Sequence, residues 1–270
     1  MPPEILGQNL AVQKPEDFRG YLQTERDTEA ITRSGGLTRT EGIAMHLRQR
    51  IHPAHEAALA LAWLDSRLVA FRDLDPHNTA PYNRLAISLI SGSATRNLQR
   101  LLITSAQFGE GRTCVTLNLA AALARARQRV LVVDSDFMRP SALRLLGVEA
   151  ETGLAEAIAK GLPIGQAMIR LEPVGFNLLP TRAQVENSAE LLVSPVFHAM
   201  VQMLKPDYDF ILFDSSPLLA AADAGLLELH TDATLMVIRP GYTSASQMAR
   251  AMASLNERRL FGVVLNRVVT

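Results

Sequence analysis

Short apolar runs alternate with stretches of helical periodicity through most of the second half of the chain. The clearest runs are Leu101–Ile103, Val130–Val133 and Phe210–Phe213. A short, continuous apolar run bounded by polar residues is typical of a strand that is buried on both faces. Between the runs, apolar residues recur at helical spacing, most clearly over Thr113–Arg129. The pattern predicts an α/β fold, a doubly wound, mainly parallel sheet with helices on both faces.

The same patterns predict further elements on either side of these runs. Helices are expected at His52–Leu68, Tyr82–Ser91, Thr152–Lys160, Pro163–Ile169, Ala189–Leu204 and Tyr242–Arg259. Strands are expected at Phe176–Leu179, Thr234–Ile238 and Gly262–Leu265. Trp63 is expected in the core, with an anchor for a partner protein as the alternative. The segment Leu74–Pro81 is expected to be a turn-rich linker.

A loop rich in polar and glycine residues follows the first apolar run. Leu101–Thr113 is predicted to form a strand, a loop and the start of a helix. Within it, Ala106–Thr113 fits the spacing G-x-x-x-x-G-K-[ST], with alanine for the first glycine and Arg112 for the lysine. Gly109 and Gly111 allow the backbone to point N–H groups at an anion, and the helix start adds partial positive charge. This predicts a di- or triphosphate site, with the Thr113 hydroxyl on Mg²⁺ and Arg112 directed at the β- and γ-phosphates. The alternative is a tight turn that binds nothing.

Carboxylates follow the other two apolar runs. Asp134 and Asp136 end the second run, and Asp214 ends the third. A single aspartate at such a position is more often a helix cap, but all three lie where parallel strands end at one edge of the sheet. Carboxylates beside a phosphate loop can hold Mg²⁺ and orient or deprotonate an attacking hydroxyl. The three together favour a nucleotide site that binds ATP and Mg²⁺.

These stretches resemble the motifs of a known family. TSAQFGEGRT, LVVDSDFMRP and FILFDSSP are similar to the Walker A, A′ and B motifs of the bacterial tyrosine kinases (BY-kinases) of capsule and exopolysaccharide synthesis, and the similarity runs from about Leu68 to Asn266. The resemblance implies a P-loop NTPase fold of the deviant Walker class, which also contains the ParA/MinD ATPases. Gln107 stands where the ParA/MinD class has an early lysine in the loop, which favours the kinase branch.

The resemblance also implies roles for individual residues. Asp134 would orient or deprotonate a tyrosine hydroxyl, and it forms the expected catalytic group with Arg112 and Asp136. Mg²⁺ would be held by Thr113, Asp136 and Asp214. The residues expected to contact ATP are Phe108, Gly109, Glu110, Gly111, Arg112, Thr113, Cys114 and Asn266.

Three departures from the family pattern bear on activity and assembly. Arg112 replaces the loop lysine, although 24 of the 27 basic residues of this chain are arginine. The last tyrosine is Tyr242, so the C-terminal tyrosine cluster of the family is missing. The family's ring-forming E-x-x-R-x-x-R segment aligns with Ala80, Asn83 and Ala86. Self-association is therefore expected without the usual ring motif, and a nucleotide-dependent scaffold (a pseudokinase) or a ParA/MinD-like ATPase remains an alternative to an active kinase.

Composition narrows the function classes. The net charge is zero, from 27 basic and 27 acidic residues, so no electrostatic nucleic-acid binder is expected. Cys114 is the single cysteine, which argues against a disulfide framework or an iron–sulfur site. It is expected on the buried side of a helix, with a reactive thiol as the alternative. His52 and His55 have metal-ligand spacing, but solvated residues at a helix start are favoured over a metal site.

The chain is expected to divide into three regions and to function in the cytoplasm. Residues 1–52 are interpreted as a poorly ordered tail with a short helix at 42–50, residues 53–98 as N-terminal helices packed on the core, and residues 99–270 as the P-loop domain. No signal peptide or 18-residue apolar span is found. The resemblance implies recruitment to the inner face of the membrane by a separate membrane-bound chain-length (co-polymerase) protein.

Overall fold

A computed structural model describes residue 53 and residues 55–60, 62–72 and 76–267. The expected tail at 1–52, with the helix expected at 42–50 and with His52, lies outside the described residues. All the described residues belong to one compact unit of the chain.

The described residues form eight strands, eight α-helices and four short 3₁₀ helices. The strands are β1 (His55–Ala58), β2 (Arg100–Ser105), β3 (Val130–Ser135), β4 (Ile169–Glu172), β5 (Phe176–Leu179), β6 (Phe210–Ser215), β7 (Ala233–Ile238) and β8 (Leu260–Leu265). The α-helices are α1 (Pro76–Arg96), α2 (Arg112–Arg125), α3 (Ala142–Leu146), α4 (Leu154–Ala159), α5 (Ser188–Val193), α6 (Pro195–Leu204), α7 (Asp223–Glu228) and α8 (Ala245–Ala253). The 3₁₀ helices are Val69–Phe71, Ile164–Ala167, Lys205–Asp207 and Glu257–Arg259.

All eight strands belong to one sheet with the order β1-β4-β5-β3-β6-β2-β7-β8. Within the described part of the chain, every neighbouring pair is parallel except β4 and β5. The predicted doubly wound, mainly parallel sheet is therefore confirmed. β2 lies between β6 and β7, and β3 pairs with β6 so that Asp134 and Asp214 are directly opposite. The carboxyl ends of β2, β3 and β6 meet at one edge of the sheet, as predicted for parallel strands.

Alternate residues of the central strands face opposite helix layers. On β2, Leu101 and Ile103 pack in a core with α1 and α2, whereas Leu102 packs in a second core with α6. A parallel strand covered on both sides must be apolar at every position, which is why the central strands read as continuous runs rather than as alternating patterns. Because the sheet packs on a core on each face, the two cores together position its carboxyl edge.

The helix predicted at His52–Leu68 is wrong. Four of its residues form the edge strand β1, which pairs in parallel with β4, and the Leu59 N–H continues the pairing to Glu172 (2.9 Å). The alanine-rich run has high helix propensity, but propensity is a weak preference that tertiary pairing overrides. The short helix predicted at Pro163–Ile169 is a 3₁₀ helix over Ile164–Ala167, and its predicted end is wrong because Ile169 begins β4.

The expected core position of Trp63 is also wrong. Its side chain is 75% exposed, whereas Leu64 and Leu68 are buried in the core beside α2. Without a continuous helix, the spacing that would have placed Trp63 with the other apolar residues does not apply. The chain turns at this point, and Trp63 lies beside Gly147 at the surface.

Proline and serine residues set several helix boundaries differently from the prediction. The expected linker at Leu74–Pro81 is wrong in its second half, since α1 already begins at Pro76, a position where proline costs no intrahelical hydrogen bond. Two of the α1 positions that align with the ring-forming segment differ in exposure, since Ala86 is buried and Asn83 is exposed. The single helix predicted at Ala189–Leu204 is divided, because Ser194 caps α6 by accepting a hydrogen bond from the Phe197 N–H (3.1 Å).

The helix predicted at Tyr242–Arg259 is shorter than expected. Ser244 and Gln247 form a reciprocal capping box that starts α8 at Ala245, and the helix ends at Ala253. Tyr242 and Thr243 are therefore part of a turn rather than of a helix. The expectation that the Ala/Met stripe faces the core is confirmed, because Ala251 is buried and Met248 and Met252 pack against it. Among the described helices, none combines the length and the hydrophobicity that crossing a bilayer requires.

One buried side chain holds the segment after β1 against α2. The Asn118 side-chain oxygen accepts a hydrogen bond from the Ala70 N–H (2.8 Å), and its amide donates to the Arg67 and Cys114 carbonyls (3.0 and 2.8 Å). Asn118 is fully buried. Removal of the side chain would take away the hydrogen-bond partner of the buried Ala70 N–H.

Asn118→Ala is expected to lower the free energy of unfolding by about 2–3 kcal/mol, since it leaves buried backbone groups unpaired. Urea denaturation measures the loss. Asn83→Ala, an exposed asparagine on α1, is the matched control and should stay within about 0.5 kcal/mol of the wild type. Equal stability of both variants would show that Asn118 does not hold the segment.

Candidate nucleotide site

The loop between β2 and α2 has the backbone of an anion-binding nest. Gly109 and Gly111 both have positive φ angles, 83° and 92°. Among the described residues, no acceptor is hydrogen-bonded to the N–H groups of Gly109, Gly111 or Thr113. The first N–H groups of a helix have no intrahelical partner and carry partial positive charge. The loop therefore presents an unused set of donors that fits the phosphates of a nucleotide.

Arg112 points into the protein rather than out of the loop. Its guanidinium is 6% exposed and donates to the Asp136 carboxylate (2.9 Å), the Ser215 carbonyl (2.8 Å) and the Ser105 hydroxyl (2.5 Å), with a longer bond to the Gln107 carbonyl (3.2 Å). All three nitrogens of the fork are used. The expectation that Arg112 extends its charge to the β- and γ-phosphates does not match this conformation, in which the charge neutralises Asp136 instead.

Asp134 and Asp214 lie side by side at the ends of β3 and β6, and both are buried. Burial, followed by the charge of Asp214, raises the pKa of Asp134 well above its usual value. Burial also raises the pKa of Asp214 to about 6, although the charge of Arg112 and the hydroxyls of Thr113 and Thr116 oppose the shift. One Asp214 oxygen, Oδ2, is buried without a hydrogen-bond partner among the described residues. A buried carboxylate in this state is poised to accept a proton or a cation.

Asp136 and Thr113 are the other two polar side chains predicted for the site at the carboxyl edge of the sheet. Asp136 accepts a hydrogen bond from the Ser216 hydroxyl (2.9 Å) besides its ion pair with Arg112 (2.9 Å). Thr113 accepts one from the Ser141 hydroxyl (3.1 Å) and stabilises the charged form of Asp214. Within the described residues, no three carboxylate, His or Cys side chains are close enough to hold a metal alone. That suits Mg²⁺, which usually takes one or two carboxylates and completes its shell with substrate phosphates and water.

Two other residues expected to contact ATP, Phe108 in the loop and Cys114 in α2, have side chains that pack within the fold. Phe108 packs its ring under the Arg139 guanidinium, 4.1 Å from the ring centroid. Cys114 is buried, and burial raises the pKa of its thiol, which disfavours the reactive thiolate. The prediction that Cys114 lies on the buried side of the helix is therefore confirmed.

Sequence reasoning missed a second set of contacts, between the loop and the turn that precedes α8. The fully buried Glu110 carboxylate accepts hydrogen bonds from the Gln107 N–H (2.8 Å) and from the Thr243 hydroxyl. The Gln247 amide donates to the Gln107 side chain (2.9 Å). Only the placement of β7 beside β2 brings this turn to the loop, and the strand pattern alone does not give that order.

Asn266 lies on the phosphate loop from the other side. Its backbone N–H donates to the Ile238 carbonyl, and its side-chain amide donates to the Glu110 carbonyl (2.8 and 2.7 Å). A Cβ atom on Gly111 would lie 2.2 Å from that amide, so a larger residue would displace Asn266, and the φ angle of 92° also favours glycine. The expected contact of Asn266 with ATP stays a prediction, and its place beside the loop is consistent with it.

Comparison with known proteins places this site in a family. The AAA domain family matches residues 99–259, which includes all three aspartates. The tyrosine-protein kinase YwqD of Bacillus subtilis is 28% identical over 205 residues, which cover 75% of this chain and 86% of YwqD. The tyrosine-protein kinase etk of Escherichia coli K12 is 31% identical over 172 residues, which cover 63% of this chain but only 24% of etk.

Solved structures agree with these similarities. The kinase domain of the Escherichia coli tyrosine kinase ETK superposes with a TM-score of 0.69 at 25% identity, over 77% of this chain and 84% of that domain. The septum site-determining protein MinD of Pyrococcus horikoshii, solved with Mg-ADP, has a TM-score of 0.54 at 25% identity, over 63% of this chain and 70% of MinD. The P-loop fold class expected from the sequence is therefore confirmed, and the chain belongs to the AAA domain family, within which it resembles the bacterial tyrosine kinases.

Proposed function

We propose that this chain binds ATP with Mg²⁺ and acts as a BY-kinase-like protein in exopolysaccharide or capsule synthesis and export. The observation that carries the proposal is the pairing of unused N–H donors in the phosphate loop with the unpartnered, buried Asp214 oxygen. Donors for an anion and an acceptor for a cation at one sheet edge fit a metal-bound polyphosphate. The relatives named above are tyrosine kinases, which supports phosphoryl transfer to a tyrosine.

In this proposal each residue of the edge has a separate task. The loop N–H groups hold the phosphates, and Thr113, Asp136 and Asp214 provide oxygen ligands for Mg²⁺. A bound Mg²⁺ would neutralise charge on the phosphates during transfer. Asp134 orients the acceptor hydroxyl and takes its proton, for which a carboxylate with a raised pKa is suited because it holds a proton more readily than a solvated aspartate.

The conformation of Arg112 favours a second, weaker form of the function. A guanidinium tied to Asp136, Ser215 and Ser105 cannot follow a transferring phosphoryl group without breaking buried hydrogen bonds. Nucleotide binding depends on the loop backbone and does not need that motion. A nucleotide-dependent scaffold with slow or no turnover is therefore the second candidate, and Arg112 is the residue that separates the two.

The cellular setting follows from the resemblance and stays part of the proposal. A separate membrane-bound chain-length protein would recruit this chain to the inner face of the membrane and respond to its nucleotide state. Self-association would use surfaces other than the family's charged ring segment, because α1 carries Ala80, Asn83 and Ala86 at those positions.

Nucleotide binding is testable by thermal denaturation. ADP with Mg²⁺ at about 100 times the dissociation constant should stabilise the native state by about 2.7 kcal/mol, or roughly 5–10 °C in Tm. Thr113→Ala should lose most of the Mg²⁺-dependent part of this shift. Thr231→Ala removes another buried threonine, remote from the loop, and should keep it. No shift with millimolar ADP or ATP at any Mg²⁺ concentration would refute the nucleotide site.

Because its carboxyl is buried, substitution of Asp214 by asparagine is expected to raise the free energy of unfolding. Since the pKa of Asp214 is raised to about 6 in the folded state, the folded protein binds more protons than the unfolded chain between pH 4 and 6. The stability that the protonated Asp214 carboxyl contributes to the folded state is therefore lost as the pH rises through about 6. Asp214→Asn should stabilise the nucleotide-free protein at pH 7.5 by up to about 3 kcal/mol, with little gain at pH 4.

Urea denaturation at both pH values measures this difference. Asp209→Asn is the control with the opposite sign, because the Arg129 guanidinium lowers the pKa of Asp209 and its charge is favourable. A loss of stability at pH 7.5 in Asp214→Asn would mean that the buried charge is already compensated without a ligand.

Substitution of Arg112 distinguishes the kinase from the scaffold. Arg112→Lys should raise phosphoryl transfer, because a flexible ammonium group can follow the phosphates whereas the fixed fork cannot, and a misplacement of about 1 Å can cost roughly a hundredfold. It should also lower stability by about 1–3 kcal/mol, since buried acceptors lose donors. Arg100→Lys, in the ion pair with Asp232 at the opposite end of β2, controls for the exchange itself. A lower rate in Arg112→Lys would show that the loop works with arginine.

A further inference from the structure

A second arginine lies against the phosphate loop, besides the buried Arg112. Arg139 follows Asp136 by three residues and is exposed, and its guanidinium lies 4.1 Å from the centroid of the Phe108 ring. Within the part of the chain that the structure describes, this guanidinium forms no ion pair and donates no hydrogen bond. The site therefore has a cation at its surface that no carboxylate neutralises.

The backbone of Arg139 is held beside the proposed metal ligand. Its N–H donates to Asp136 Oδ1 (3.1 Å), the oxygen that also accepts the Ser216 hydroxyl (2.9 Å). At the other end of the residue, the guanidinium stacks on Phe108, which immediately precedes Gly109, the first glycine of the nest with a positive φ angle. Both ends of Arg139 therefore border the place proposed for the phosphates.

The two arginines near Phe108 differ in how firmly they are held. The Arg112 guanidinium is 5.9 Å from the centroid of the same ring, but it is fixed by Asp136 and by buried hydrogen bonds. The partner of the Arg139 guanidinium is the face of the ring, and a cation–π contact at an exposed site is weak. A phosphate offers the guanidinium a bidentate, charge-assisted pair, which is stronger. Arg139 can therefore leave the ring for a phosphate, whereas Arg112 cannot do so without breaking buried contacts.

The place of Arg139 favours the last phosphate of a triphosphate. In the proposed site Asp136 is a ligand of Mg²⁺, and Mg²⁺ bridges the β- and γ-phosphates of ATP. Because the Arg139 N–H is bonded to this carboxylate, the side chain begins on the metal side of the loop. The N–H donors of the nest are fixed backbone groups that serve ADP and ATP alike. Arg139 is a mobile charge that can respond to the additional phosphate of ATP.

We propose that Arg139 leaves the Phe108 ring and binds the γ-phosphate of ATP, the task that the spacing of the loop predicts for residue 112. The inference rests on the proposed nucleotide site. Arg139 is then the residue through which the site distinguishes ATP from ADP. Phosphoryl transfer is not required for this role, so it applies to an active kinase and to a nucleotide-dependent scaffold alike.

Isothermal titration calorimetry of the full chain with Mg²⁺ compares ADP with the β,γ-imido analogue of ATP, which is not hydrolysed. Arg139→Gln keeps a planar polar group but removes the charge. It should weaken binding of the analogue roughly 10- to 100-fold, as expected for the loss of a charged donor, and change the affinity for ADP less than about twofold. Arg139→Lys keeps the charge without the fork and should lose less affinity for the analogue. Arg96→Gln is the matched control, an exposed arginine at the end of α1 before the amino end of β2, and should bind both nucleotides as the wild type does.

Chemical modification of the wild type tests the contact without a substitution. Phenylglyoxal reacts with accessible guanidinium groups, and mass spectrometry of peptides measures the extent of reaction at each arginine. A saturating concentration of the analogue with Mg²⁺ should protect Arg139, whereas saturating ADP should not. Arg96 should react equally in all samples. Equal reaction of Arg139 with and without the bound analogue would overturn the inference.

The titrations separate this inference from the nucleotide site on which it rests. If the wild type binds both nucleotides and Arg139→Gln weakens neither, or weakens both equally, the inference is overturned and the nucleotide site stands. If the wild type binds neither nucleotide, both are overturned. Weaker binding of the analogue alone supports the inference, whether or not the protein transfers phosphate.

Discussion

A single buried cation connects the strand ends that form the candidate nucleotide site. Arg112 donates to Ser105 at the end of β2, to Asp136 just after β3 and to Ser215 at the end of β6. A buried ion pair must recover a large desolvation cost, and it does so only where all its donors are used. Arg112 comes close to that condition, because each of the three nitrogens of its guanidinium donates at least one hydrogen bond. These hydrogen bonds hold the phosphate loop in place without a ligand. They also fix the guanidinium, whereas the side chain of a loop lysine could move with the phosphates.

The charges at this edge do not balance without a ligand. Arg112 forms its ion pair with Asp136, and within the described residues neither Asp134 nor Asp214, which lie side by side, has an ion pair of its own. Burial disfavours the charged forms of both carboxyls and so raises the pKa of each. Strongly shifted pKa values are concentrated at functional sites. A cation bound with a nucleotide would relieve the two carboxylates, which couples ligand binding to stability.

A second clamp holds the outer side of the loop. Glu110 and Gln107 connect it to Thr243 and Gln247, so the loop and the turn before α8 form one unit. The capping box at Ser244 delays the start of α8, which leaves Tyr242 in that turn and its phenol exposed.

The sequence by itself determined the fold class, the central strands and the three aspartates of the site. Central parallel strands are apolar on both faces, so β2, β3 and β6 are visible as runs, and polar residues after each run must lie at the common edge. The sequence also determined the glycine positions of the loop, because positive φ angles favour glycine.

Only the tertiary structure decided which edge elements join the sheet and where each side chain points. The alanine-rich stretch before Trp63 has helix propensity, yet it forms β1 because pairing with β4 outweighs local preference. Arg112 matches a phosphate-binding lysine in spacing, but its direction depends on acceptors from three separate strands. Strand order, which brings Thr243 to Glu110, depends on contacts more than 100 residues apart in the chain. Local sequence cannot encode such contacts, because they exist only once the strands have assembled.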